Sequence, residues 1–160
     1  MTSPTLRPAV PEDMARVADI WHAAWHTSHP GHVPNGLTAG RNLAAFHERT
    51  PARVGDTTVA VLDDEVVGFI MIDRDEVEQV FVDPTRHGSG VASLLLDEAE
   101  RQVAAGGYDV AWLAVAIGNT RARAFYEKRG WTNEEDLPYE ATAAGTTYIS
   151  PCRRYVKSLS

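Results

Sequence analysis

Three groups of residues combine types and spacings that can do chemistry. The first is Gly88-Ser89-Gly90, two glycines around a serine, where the backbone can turn sharply and a ligand can approach with no β-carbon in the way. Val91, Leu95, Ala99 and Val103 follow at helical spacing until Gly106-Gly107, so the turn is a helix N-terminus. Such an end offers unpaired N–H groups and the positive end of the dipole, which suits a phosphate or pyrophosphate. On spacing alone the same glycines serve equally as a tight strand-to-helix connection. The second group is acidic. Glu76 and Glu78 lie on the strand leading to that turn, and alternation puts both on one face. That face is either solvated or the place for a general base, acting directly or through a water, with a pKa raised by partial burial. The third group is His22, His26, His29 and His32. No cysteine or well-spaced carboxylate accompanies them, so a polar loop is expected and no metal.

These residues need elements to hold them. Val77, Val80, Phe81 and Val82 are strand formers, and Pro84 ends the ladder near Asp83. Before them, Thr57 to Leu62 and Val66 to Ile72 read as strands joined by the polar turn Asp63-Asp64-Glu65, and with Glu76 to Val82 they predict an antiparallel meander. The chain opens with a short strand, Thr5 to Ala9, and a helix led by Pro11-Glu12-Asp13, with Val10 where a Ser, Thr or Asp cap is expected. Its apolar face carries Met14, Val17, Trp21 and Trp25. From His26 to Gly40 the chemistry is that of a loop, and Thr38 is expected to cap a second helix bearing Leu43, Ala44 and Phe46. Val110 to Val115 reads as a buried strand that returns after a helix, parallel to the strand ending at Val82. Asn119 caps a helix in which Ala122, Phe125 and Tyr126 share a face, and Gly130 closes it. At that spacing Tyr126 reads as a core tyrosine. Ala141 to Thr147 reads as a turn between two closing strands, and Pro151 confines the last, Tyr148 to Val156, to an edge or a bulge.

The totals narrow the field. At 160 residues and 44% hydrophobic the chain makes a single domain over residues 1–160 with a real core. A formal charge of -7 disfavours nucleic acid, whose phosphates need a basic face, and suits a cationic acceptor. No run is long enough to span a membrane, Met1-Thr2-Ser3-Pro4 lacks signal-peptide features, and Cys152 is the single cysteine. A cytoplasmic protein is expected, with no membrane partner. Cys152 reads as a small buried hydrophobe rather than an activated thiolate.

Two stretches carry a family resemblance. His87-Gly88-Ser89-Gly90-Val91-Ala92 resembles the acyl-CoA pyrophosphate loop of the Gcn5-related N-acetyltransferase (GNAT) superfamily, Q/R-x-x-G-x-G/A, with Gly90 and Ala92 matching and His87 where Gln or Arg is usual. Asn119-Thr120-Arg121-Ala122-Arg123-Ala124-Phe125-Tyr126-Glu127-Lys128-Arg129-Gly130-Trp131 matches the superfamily's cofactor-side helix, N-x-x-A-x-x-F-Y-x-x-x-G-W/F, at every named position. The two in this order are far more specific than either alone.

The resemblance implies an α/β fold with a mixed sheet of about six or seven strands, flanked by about four helices and opened between two splayed parallel strands to take acetyl-CoA. It implies transfer of an acetyl group from acetyl-CoA straight to a primary amine of a small molecule or peptide in a ternary complex; the alternative is a non-catalytic acyl-CoA-binding or sensing module. Tyr126 then matches the usual general acid, a phenol that keeps its proton at neutral pH. Glu78, nearer the splay, is preferred as base over Glu76, with His26 or His29 as substitutes. The backbone of Val80, Phe81 and Val82 would hold the pantetheine arm, His87, Gly88, Ser89, Gly90, Val91 and Ala92 the pyrophosphate, Asn119 would contact the cofactor arm, and Tyr126 would reach the thioester sulfur. Trp25, His26, His29 and His32 are acceptor contacts, and a homodimer would form through the C-terminal strands.

Overall fold

The computed structural model describes residues 3–159. Met1 and Thr2, half of the segment read for a signal peptide, lie outside them, as does Ser160. β1 (Thr5–Pro8) is followed by a 3-10 turn, Pro11–Asp13, and by α1 (Met14–Ser28). Val10 cannot cap this turn, and the deficit is met from within: Asp13 accepts the Val10 N–H at 2.9 Å and is itself clamped by Arg7 at 2.7 and 3.0 Å. The following stretch contains α2 (Asn35–Gly40) and α3 (Leu43–Arg49). Thr38 lies inside α2. The cap of α3 is Asn42, whose side chain accepts the Ala45 N–H at 2.9 Å, because the residue that caps must be the last extended one before the helix.

A 3-10 segment, Thr50–Asp56, leads into β2 (Thr57–Leu62), β3 (Glu65–Asp73) and β4 (Glu76–Val82). Asp63 and Asp64 make the β2–β3 turn with φ of 53° and 63°, the left-handed pair that a two-residue hairpin requires. Then come α4 (Val91–Ala105), β5 (Val110–Ala116), α5 (Thr120–Lys128), β6 (Thr132–Ala143) and β7 (Thr146–Ser158). The seven strands form one sheet in the order β1-β2-β3-β4-β5-β7-β6. It is antiparallel except for β4 and β5. Helices α1 to α3 cover one face around Trp21, Phe46 and Phe69, and α4 and α5 cover the other around Leu95, Ala99 and Trp131. Among the described residues no helix is long and apolar enough to cross a membrane.

The C-terminal hairpin differs from the expectation. Its turn shrinks to Ala144-Gly145, and β7 sits inside the sheet while β6 forms the edge. Pro151 is tolerated there because its missing N–H would lie on the side away from the facing Pro138 of β6, the side to which its own carbonyl points. On its other side β5 has ended, and the Pro151 carbonyl still accepts the Ile117 N–H at 3.0 Å.

Candidate active site

Strands β4 and β5 start together and part. Their ladder holds one pair, Glu76↔Trp112, with the Trp112 N–H on the Asp75 carbonyl at 3.1 Å. The junction is pinned by the Trp112 indole, which donates to Asp75 at 3.1 Å under the Arg154 guanidinium. Beyond it the sheet opens as a wedge. Asp83 donates its N–H to Val67 of β3 at 2.8 Å, so alternation turns the N–H groups of Val80 and Val82 away from β3 and into the wedge. Two donors therefore face a space with no strand to receive them.

The wedge ends on the N-terminus of α4. Gly88 and Gly90 have φ of 80° and 83°, a conformation that favours glycine, and a β-carbon at either would meet nothing within 4 Å. No side chain caps this helix. Its first N–H groups thus remain available to an anion beside Gly90, Val91 and Ala92. Ser89 locks the turn by donating to the Arg86 carbonyl at 2.6 Å. Arg16 of α1 fixes its entry through Asp83 at 2.7 Å. Arg86 itself turns back to Glu65 at 3.3 Å. The cation beside His87 is instead Arg121, 3.0 Å from Nδ1.

One cleft of about 960 Å³ contains this wedge and reaches across the sheet edge toward α1. It is lined by Trp25, His29, His32, Glu76, Glu78, Val80, Phe81, Val82, the whole His87–Ala92 turn, Asn119 and Tyr126. His26 is not among its walls: Nε2 bonds the Arg41 carbonyl and the ring packs on His22 and Trp25. His29 stacks on Trp25 with ring centroids 4.7 Å apart, and burial pulls its pKa down to about 4. At neutral pH it is an uncharged platform. His32 rests on Gly118, where a β-carbon would collide with the imidazole, so the α1–α2 loop closes on the β5–α5 turn beside the cleft.

The two carboxylates lie together, as alternation along β4 predicts. The β3–β4 register passes from Met71↔Gln79 to Ile72↔Val77, leaving Glu78 as an extra residue with no partner in β3. With Asp73 opposite Glu76, the carboxylates of Asp73, Glu76 and Glu78 lie within 4.8 Å of one another. Their situations differ. Glu78 is held by both guanidinium nitrogens of Arg53 at 2.8 and 2.9 Å, a fork that occupies its oxygens. Glu76 accepts one hydrogen bond, from the Tyr139 hydroxyl at 3.0 Å. Burial pushes its pKa up, the Tyr139 bond opposes this, and Glu78, Asp73 and Asp75 add to the rise.

Tyr126 is 9% exposed and packs against Phe125, Trp131 and Tyr155. Burial raises its phenol to about 12, and its hydroxyl has no hydrogen-bond partner among the described residues. It is both the expected core tyrosine and a free donor in the cleft. Asn119 accepts the Ala122 N–H at 3.3 Å, capping α5. Cys152 also lines the cleft, where burial pushes its thiol up.

Residues that sequence reasoning did not single out complete the far wall: Tyr139, Glu140 and Thr142 of β6, with Arg41 and Arg49 from the helical side. Tyr139 lies 63 residues from Glu76, and no local pattern links them.

The sheet thus opens beside a helix end with uncapped N–H groups, and a carboxylate and a phenol line the opening. Residues 16–131 match the Acetyltransferase (GNAT) family. An uncharacterized N-acetyltransferase of Mycobacterium bovis is 31% identical over 107 residues, 64% of this chain and 69% of its own length. A Gcn5-related N-acetyltransferase from Rhodopseudomonas palustris superposes with a TM-score of 0.73 at 25% identity, over 99% of this chain and 97% of its own. The PaiA N-acetyltransferase from Thermoplasma acidophilum, in complex with coenzyme A, has a TM-score of 0.77 at 18% identity, over 98% and 99% of the two chains, a likeness of fold. The chain belongs to the GNAT acetyltransferase family. It is accordingly an acyltransferase, with acetyl-CoA as its donor.

Proposed function

We propose that this chain transfers the acetyl group of acetyl-CoA directly to a primary amine of a small molecule or peptide, within a ternary complex, with Glu76 as general base and Tyr126 as general acid. The observation that carries the reading is the placement of Glu76 and the unpartnered Tyr126 hydroxyl in the same cleft that ends on the bare N-terminus of α4.

Acetyl-CoA supplies an activated thioester and a pyrophosphate. The open cradle over Gly88 and Gly90 and the N–H groups of α4 suit the pyrophosphate, with His87 and Arg121 at its side. The N–H groups of Val80 and Val82 suit the pantetheine arm and the thioester carbonyl, and Asn119 lies at the cofactor side of the cleft. Glu76 takes the proton of the acceptor ammonium, directly or through a water. The free amine attacks the thioester carbon and a C–N bond forms; as the C–S bond breaks, Tyr126 gives its proton to the departing sulfur, the nitrogen's second proton returns to the phenolate, and Glu76 releases the first to solvent. Glu78 serves better as the anchor of Arg53 than as the base, since both its oxygens are engaged. The raised thiol of Cys152 leaves no ready nucleophile for an acetyl-enzyme.

Initial rates measured over a grid of acetyl-CoA and amine concentrations test this. Intersecting double-reciprocal lines are expected, with no acetylated protein on mass spectrometry. Parallel lines, or acetyl-Cys152, would contradict direct transfer. Acetyl-CoA binding with no turnover across a broad amine panel would assign the non-catalytic binding module instead.

A further inference from the structure

The helical side of the cleft carries two guanidinium groups with nothing to bind. Arg41 and Arg49 make no hydrogen bond or ion pair through their side chains among the described residues, and Arg41 Nε is buried without a partner. Every other arginine has one or the other. Each of the two instead lies over a tryptophan: Arg49 is 4.8 Å from the Trp21 ring centroid and Arg41 is 5.9 Å from that of Trp25. Both line the main cleft, and with Thr142 both also line a smaller cavity of about 360 Å³ beside it. They form the partition between the two spaces.

No carboxylate nearby serves them. Glu48 borders the smaller cavity but pairs with neither. Glu78, the nearest negative charge acting on Arg49, is already committed to Arg53. Arg49 is exposed on the cleft wall, and the protein packed on its inner side lowers its pKa. Arg41 Nε, buried without a partner, carries a desolvation cost that a bound oxyanion would relieve; Arg49 adds an unpaired charge at the open side, and the planar fork of arginine is suited to carboxylate or phosphonate. The aromatic faces beneath them keep the guanidiniums oriented for it.

The opposite end of the same wall is acidic. Tyr139 of β6 reaches Glu76, and Thr142 of the same strand borders the arginines. Three residues of extended chain span roughly 10 Å, and arginine side chains reach back across part of that. We infer that the acceptor is an amine that also carries an oxyanion, the class of amino acids and aminophosphonates, with its nitrogen at Glu76 and its anion on Arg41 and Arg49. This rests on the transfer reading above. It differs from what the net charge alone suggests, because Arg41 and Arg49 put two unpaired positive charges at one end of the cleft.

The test compares L-amino acids with their matching carboxamides and with the corresponding 1-aminoalkylphosphonates, at saturating acetyl-CoA, by release of the CoA thiol. Acids or phosphonates are expected to exceed the amides in kcat/KM by about tenfold or more, the discrimination expected when binding groups are left unpaired. Arg49→Gln and Arg41→Gln should each raise KM for the anionic acceptors by about tenfold with kcat largely kept, and leave the amides unchanged, the pattern of lost ground-state binding. Arg49→Gln, at an exposed helix end, serves alone if Arg41→Gln does not fold. Amides used as well as the acids, or a loss shared equally by both sets, would overturn the inference and leave the transferase standing. Turnover of neither set alongside calorimetric acetyl-CoA binding would also overturn it, whereas absence of that binding would remove the transfer reading itself.

Discussion

Glu76→Gln is expected to lower kcat/KM by about 100- to 10,000-fold, the range a lost general base commands, while acetyl-CoA affinity holds and the thermal midpoint stays level or rises. The sign follows from burial. The fold raises the Glu76 pKa, so the contribution of this carboxyl to stability is fully present below its unfolded pKa and is lost as pH rises through the folded one. At neutral pH the ionised group costs the fold something, and the neutral amide removes that cost while still accepting the Tyr139 hydroxyl. Activity runs the other way, because the base must be ionised. Wild-type kcat/KM should therefore climb along an acid limb placed above the ordinary carboxylate range of about 4.3, a limb missing from the variant. Loss of stability in step with activity would mark Glu76 as scaffolding instead. Glu78→Gln provides the contrast. It breaks the Arg53 fork and should cost about 1–3 kcal/mol of stability, with the acid limb retained.

Tyr126→Phe is expected to reduce kcat by about 100-fold or more with no change in acetyl-CoA affinity. The Tyr126 hydroxyl has no protein partner among the described residues, so its removal orphans nothing and the phenyl ring keeps its packing on Phe125 and Trp131. The thermal midpoint should not fall. With the phenol raised to about 12, Tyr126 adds no alkaline limb near neutrality, and the pH profiles of kcat for the two proteins should have one shape at different heights. A variant that keeps full turnover would leave the thiolate to solvent and dismiss Tyr126 as the acid.

The parts of this site governed by local chemistry were legible in the sequence. The β4 strand, the Gly88–Gly90 turn and the Asn119-capped helix were read within a residue of their bounds, because turn glycines, a capping asparagine and a β-branched run act over a few residues. What escaped depends on register and on distant partners. One extra residue in β4 leaves Glu78 without a partner in β3, and a bulge has no compositional mark there. Arg53 and Tyr139, which separate the two carboxylates into anchor and base, arrive from a 3-10 segment and an edge strand. The same reason hid Arg41 and Arg49: an arginine after a loop reads as a solvated charge until the fold shows what it lacks. Pro151 pointed to an edge or a bulge, and the end of the β5 ladder at Ala116↔Cys152 explains why β7 can carry it inside the sheet.

The measurement that tests the central claim most directly is titration calorimetry of acetyl-CoA, CoA and dephospho-CoA against the wild-type protein and Gly90→Asp. The substitution places a carboxylate and a strained left-handed residue where Gly90 now has φ of 83° and open space above it. Micromolar binding that tolerates loss of the 3′-phosphate is expected for the wild type, with at least about 100-fold weaker binding by the variant, since a like charge displaces the anion from the helix end. Equal binding by both proteins would contradict the placement of the pyrophosphate on α4, and no binding by the wild type would contradict the acetyl-CoA cleft altogether.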